Sequence, residues 1–129
     1  MYKELVFIII IIVLVIVGNI ITQNNTNKTV EIMSEELNTF KNEILNDNVN
    51  KMEVQNHIRK INNTWDEYLE ILAYYIEHDE LEKVTTELTK SKANVETKNY
   101  DLAVENLDNC IFILEHIKDK SALKIVNIF

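Results

Sequence analysis

Leu5 to Val17 is an unbroken apolar run, and Gly18-Asn19-Ile20-Ile21 extends it to about 17 residues. As a helix this spans roughly 25 Å, short but sufficient for the hydrocarbon core of a bilayer. The run is rich in β-branched Ile and Val, yet a lone strand in lipid leaves its N–H and C=O groups unpaired, so a transmembrane helix over residues 1–22 is the reading that solvation permits. A polar stretch follows, Thr22-Gln23-Asn24-Asn25-Thr26-Asn27-Lys28-Thr29. Residues 23–29 read as a juxtamembrane stalk, although nothing in them forbids a helix from continuing through.

Beyond the stalk, apolar residues return at alternating spacings of three and four, the period of an amphipathic helix. Val30, Met33, Leu37, Phe40 and Ile44 form the first stripe, which Asn46-Asp47-Asn48 breaks. Asn50 with Glu53 makes a capping-box-like pair, flanked by Val49 and Val54 at the staple positions, so a second helix starts there. Its stripe runs Val54, Ile58, Ile61, Trp65, Tyr68, Leu72 and Tyr75, widened by Leu69 and Ile76. His78-Asp79-Glu80 interrupts this face, and Asp79 is the expected N-cap of a third helix carrying Leu81, Val84, Leu88 and Val95, with Ser91 on the stripe. After the polar Glu96-Thr97-Lys98-Asn99, a last long helix carries Tyr100, Ala103, Leu107, Cys110, Leu114 and Ile117. Lys118 to Phe129 reads as a short apolar closing segment that packs back on the bundle.

The fold class is therefore all-α: one N-terminal transmembrane helix followed by an antiparallel bundle of about four amphipathic helices over residues 30–129. Composition agrees. Proline is absent and Gly18 is the one glycine, so the turn residues that sandwiches, barrels and Rossmann-type sheets rely on are missing. Residues 99–107 have the flavour of a tetratricopeptide first helix, but no fixed period certifies a repeat array.

How the apolar run is used decides localisation. A cleaved signal peptide ends in a small-x-small site, which Val17-Gly18-Asn19-Ile20-Ile21-Thr22 lacks. A lipoprotein signal needs a nearby cysteine, and the single cysteine is Cys110. A buried core helix is the remaining alternative, and an uncleaved signal anchor is the reading adopted. Lys3 and the amino terminus precede the run, with Glu4 beside them, and Lys28 and Lys41 follow it. The basic residues hardly discriminate, so the expected orientation, N-terminus inside and domain extracytoplasmic, rests mainly on the similarity of this terminus to signal anchors with a very short n-region.

Acidic residues outnumber basic ones 21 to 13, for a formal charge of −8. Such a surface repels phosphate backbones, so nucleic acid is not expected as a partner. A lone cysteine forms no internal disulfide, and at its stripe position Cys110 reads as a small buried hydrophobe.

Two Glu-His pairs, Glu77-His78 and Glu115-His116, close apolar helices in what look like two hairpin halves. Helix-bundle metal sites draw on such residues, but neighbours in a helix point about 100° apart, so a site would need both pairs to converge. The alternative is that each histidine caps carbonyls at a helix C-terminus. His57 reads as part of a solvated face. Trp65, Tyr68, Tyr74 and Tyr75 could line an aromatic cage, but aromatics at helical spacing are read first as core. The acidic Glu31, Glu35 and Glu36 read as a solvated face. No HExxH, phosphate-binding glycine loop or Cys-x-x-Cys occurs. No catalytic residue, metal or cofactor is assigned.

Trp65, the Ile76-Glu77-His78-Asp79-Glu80 stretch, Leu114-Glu115-His116-Ile117 and the terminal Asn127-Ile128-Phe129, together with the N-terminal anchor, resemble a family of short single-span bacterial membrane proteins catalogued as a domain of unknown function, family 4363. The resemblance implies a membrane-anchored helical domain and brings no activity or ligand. The expected function is a membrane-tethered helical interaction or scaffold module that contacts the bilayer through its first helix and a protein partner through the aromatic face (Trp65, Tyr68, Tyr75) or the tail ending in Phe129. The competing expectation is a ligand- or metal-sensing bundle built on His78 and His116. An enzyme is not expected.

Overall fold

The structure is a computed structural model that describes residues 2–46 and 50–128, without the side chains of residues 23 and 121–128. It comprises helices α1 (Tyr2–Leu45), α2 (Lys51–Leu72), α3 (His78–Glu96) and α4 (Tyr100–Ile128). α1 packs on α2 and α4, and α3 packs on the same two helices, which closes a ring of four. Short connections make successive helices antiparallel, the up-down-up-down arrangement of a four-helix bundle rather than an open repeat array.

The stripes become the core. Val30, Met33, Leu37, Phe40 and Ile44 of α1 are buried, as are Val54, Ile58, Ile61, Trp65 and Leu72 of α2. Leu81, Val84, Leu88 and Val95 of α3 face Ala103, Leu107, Cys110, Leu114 and Ile117 of α4 in the same cluster. Spacings of four and three average 3.5 residues, which keeps one seam per helix turned inward along its length. Ser91 holds its stripe position fully buried because its hydroxyl donates to the Glu87 carbonyl at 2.8 Å, one turn back.

α1 is one helix of 44 residues from the apolar run to the far end of the bundle. The stretch 23–29, expected as a stalk, is helical, and Thr26 within it is fully buried on the seam that continues with Val30. The heptad stripe thus begins inside the polar stretch, on a hydroxyl rather than a hydrocarbon. The closing segment is also corrected. Lys118 to Ile128 does not fold back but prolongs α4, since no glycine or proline interrupts it. Phe129 lies outside the described residues.

Polar pairs at the seam margins set which helices meet and at what level. Lys41 Nζ lies 2.8 Å from Asp108, and Lys118 Nζ 3.3 Å from Glu31, so α4 runs antiparallel to α1. Between α3 and α4, Asn94 Nδ2 donates to Asn106 Oδ1 at 2.7 Å, and Asn106 Nδ2 donates to Glu87 at 3.1 Å. Trp65 Nε1 donates to Thr85 Oγ1 at 2.9 Å and ties α2 to α3.

The helix ends follow local rules with one exception. Asn50 caps α2, its Oδ1 accepting from the N–H groups of Met52 and Glu53 at 3.1 and 3.4 Å. Val49 of the expected staple lies outside the described residues. Asp79 is not the cap of α3: the helix begins one residue before it, with Glu77 at the cap position and no side-chain cap. Asp79 instead sits in the first turn, where its charge suits the positive end of the helix dipole. At the other end of α3, Asn99 N–H donates to the Asn94 carbonyl at 2.7 Å and Lys98 N–H to that of Val95 at 3.1 Å. These are the two bonds of a Schellman motif, and they put Lys98 at φ 62°, a conformation that favours glycine. Lys98→Gly is expected to stabilise the full-length protein by about 0.5–1 kcal/mol, after the larger entropy of the unfolded glycine chain is offset. Thermal unfolding followed by circular dichroism in detergent or nanodiscs measures it.

Candidate functional site

The two histidines singled out in the sequence do not meet. His78 is the first residue of α3, with an 88% exposed side chain and Glu82 as its nearest carboxylate at 3.9 Å. It borders a cleft of about 430 Å³ between α2 and α3, beside Leu69, Glu70 and Leu81. His116 lies within α4 and borders a different cleft of about 300 Å³ between α3 and α4, with Glu80, Lys83, Phe112 and Ile113. Neither histidine stands at a helix C-terminus, so the capping role is corrected as well. α2 stops at Leu72, before His78, and α4 continues well past His116.

Their glutamates part company too. Glu115 is exposed. Glu77 accepts from Lys120 Nζ at 3.2 Å, and the same ammonium lies 3.6 Å from Glu80 Oε1. His116 Nε2 is 3.9 Å from that oxygen. A mixed cluster of Glu77, Glu80, His116 and Lys120 therefore joins α3 to α4 near the α2–α3 turn. Glu80 is its centre and is itself buried, with Oε2 lacking a hydrogen-bond partner among the described residues. Hydrogen bonding to Glu77 and the charges of Glu77 and Glu80 raise the Lys120 pKa above its ordinary value. A fixed ammonium already supplies the positive charge that a metal ion would bring. Among the described residues, no three His, Cys, Asp or Glu side chains are placed to hold one.

His57, read from sequence as solvated, is the most closely held histidine. Its Nδ1 lies 2.7 Å from Glu43 Oε2 and its Nε2 3.7 Å from Glu36, both on α1. The ring stands edge-on to Phe40, with centroids 4.9 Å apart. An ionised carboxylate only accepts, so the short contact to Glu43 is made by Nδ1–H. A signal was available: Glu36 and Glu43 stand seven apart, each beside a stripe residue, and His57 precedes Ile58 on the facing stripe.

The aromatic residues also disperse. Trp65 is in the core at 1% exposure, and Tyr68 packs partly buried against it. Tyr75 leaves the expected stripe because α2 ends in the turn that follows Leu72, so Tyr74 and Tyr75 stand 84% and 47% exposed. No cage forms from these four. On α4, Phe112 is 73% exposed and lines the same small cleft as His116. A separate groove of about 590 Å³ between α3 and α4 is lined by Asp79, Glu82, Lys83, Thr86, Glu87 and Ile113. This groove was invisible in the sequence, since it depends on which faces of α3 and α4 turn outward together.

The family model for the domain of unknown function DUF4363 matches residues 20–128, which is the whole bundle with the end of the apolar run. The chain belongs to the DUF4363 family. No curated protein and no solved structure matches it. The match begins inside α1 rather than after the polar stretch, so the DUF4363 unit includes the residues read as a stalk.

Cys110 of this DUF4363 chain illustrates how the seam silences a reactive group. Burial, and then the charge of Glu87, push its thiol from the usual value near 9 up to about 12. An Ellman-type reagent at pH 8 is expected to leave Cys110 unmodified in the folded protein and to modify it at the rate of unfolding. The folded thiol ionises later than the unfolded one, so this group leaves stability unchanged below about pH 9 and lowers it as pH rises from there towards 12. Denaturant titrations at pH 8 and pH 10.5, compared with Cys110→Ala, measure that loss.

Proposed function

We propose that the protein is a membrane-tethered helical interaction module that acts by binding a protein partner rather than by catalysis. The observation that carries this reading is the division of α1 into two halves. Its Leu5–Ile21 half is apolar on every side and stands clear of the other three helices, with residues such as Phe7, Leu14 and Ile21 more than half exposed. Its second half supplies a quarter of the bundle core. A helix that is apolar all round is stable only where its surroundings are apolar, and one of this length and hydropathy is long enough to cross a membrane.

The Lys3 end lies inside and the bundle lies outside the cytoplasm in this reading, a signal anchor that stays attached. Because α1 has no break between the two halves, it holds the bundle at a set height and orientation, as a flexible tether would not. The larger groove between α3 and α4 has the chemistry for an apolar and basic partner segment, since Ile113 lines it and the carboxylates of Asp79, Glu82 and Glu87 outnumber the one cation, Lys83. The charge of −8 weighs against nucleic acid.

A photo-reactive benzoylphenylalanine at position 86, an exposed site in the wall of this groove, expressed in the native membrane, tests the reading. The expected result is that the protein resists alkaline carbonate extraction and yields one discrete heterologous adduct on irradiation. His78→Ala/His116→Ala should leave that adduct unchanged. Release by carbonate, or no adduct from position 86 or from any other exposed position on the four helices, contradicts it.

A further inference from the structure

Two ion pairs set a scale of levels along the molecule. Glu31 and Lys41 stand ten residues apart on α1, and their partners Lys118 and Asp108 stand ten apart on α4, so the antiparallel register is constant. Carried ten residues further, it brings Ile128, the last residue of α4, level with Ile21, where the apolar run of α1 ends. The α2–α3 turn can be placed in two ways. Lys120 bonds Glu77 two residues beyond the Lys118–Glu31 pair, which puts Glu77 level with about residue 29 of α1. Counting from the ring contact of Phe40 with His57, Tyr74 is seventeen residues on along α2 and so level with residue 23. At 1.5 Å per residue the turn is roughly 3–12 Å beyond Ile21.

The near part of that band overlaps the layer of lipid headgroups, about 6 Å deep on each side of the hydrocarbon. The apolar run is short for its task, roughly 25 Å against about 30 Å of hydrocarbon, and mismatch of this sign draws the flanking residues towards the bilayer. The seam already begins at Thr26, so the bundle has no slack with which to stand off. The side chains met at this level are suited to it. Ile71, Tyr74 and Tyr75 are 56%, 84% and 47% exposed, and tyrosine combines an apolar ring with a hydroxyl that the interface solvates. The final turns of α4 read Ser121-Ala122-Leu123-Lys124-Ile125-Val126-Asn127-Ile128, a largely apolar sequence with one cation. The opposite turn, Thr97-Lys98-Asn99, carries no apolar residue.

We infer that the end of the bundle formed by the α2–α3 turn and the last turns of α4 is a membrane-docking face, seated in the headgroup layer of the bilayer that α1 crosses. Its occupant is lipid, held by insertion of Tyr74 and Tyr75 and by the apolar end of α4. The inference rests on the membrane-tethered reading above. With three contacts instead of one, the bundle is fixed in tilt and rotation, and the groove between α3 and α4 faces along the membrane surface.

The test uses the full-length protein in phosphatidylcholine vesicles, with a nitroxide label on Val13→Cys, Tyr74→Cys or Glu96→Cys in turn. Cys110 is buried and is expected to stay unlabelled, with unsubstituted protein carried through the same reaction as the control. The readout is the ratio of collision rates with oxygen and with a water-soluble nickel chelate. The expected order is Val13 highest and Tyr74 several-fold above Glu96. A Tyr74 ratio equal to that of Glu96, with Val13 still high, overturns the docking face and leaves the anchor standing. A Val13 ratio as low as that of Glu96 overturns the anchor and the docking face together.

Discussion

The continuity of α1 is the constraint on which the rest depends. Helix formation propagates easily once begun, and no glycine or proline stands between Ile21 and Leu45 to stop it. The seam then keeps one face of that helix turned to its neighbours from Thr26 to Ile44, each buried aliphatic side chain along it contributing about 1.5–3 kcal/mol. Because α2 and α4 both pack on α1, its direction sets theirs, and α3 closes the ring. The apolar half and the bundle are two environments for one rod.

Much of this was legible in the residues. The alternation of threes and fours picked out nearly every core position of the four stripes, and Ser91 and Cys110 were placed on the seam because period outweighs chemistry there. The polar stretch before Val30 was harder to read, since Asn and Thr are poor helix formers and only the heptad count through Thr26 gives the continuation away. Asp79 was misread as a cap because capping residues and first-turn acids are the same types one position apart. The helical course of residues 118–128 was misread for the opposite reason: apolar composition suggests burial but not direction.

The polar residues were the least legible, because their partners lie on other helices. His57 between Glu36 and Glu43, and Glu80 between His116 and Lys120, are pairings of α1 with α2 and of α3 with α4 that no local pattern contains. Most of these groups flank the seam and specify register, as the Glu87, Asn106 and Asn94 network does between α3 and α4. Mispairing would strand partly buried charges and amides, which costs more than the correct pairs contribute. The bundle is thus apolar in its driving force and polar in its choice of neighbours. Its outward chemistry, the groove between α3 and α4 and the tyrosines of the α2–α3 turn, is what the register leaves exposed.

Amide hydrogen exchange of the full-length protein in nanodiscs measures the continuity of α1 directly. The decisive amides are those of residues 23–29, read against those of residues 33–44 within the same helix. Protection of the first group within about tenfold of the second is the result expected of a single rod whose seam starts at Thr26. Exchange of residues 23–29 at the rate of an unfolded chain, with residues 33–44 still protected, would mean that a flexible stalk joins the apolar run to the bundle.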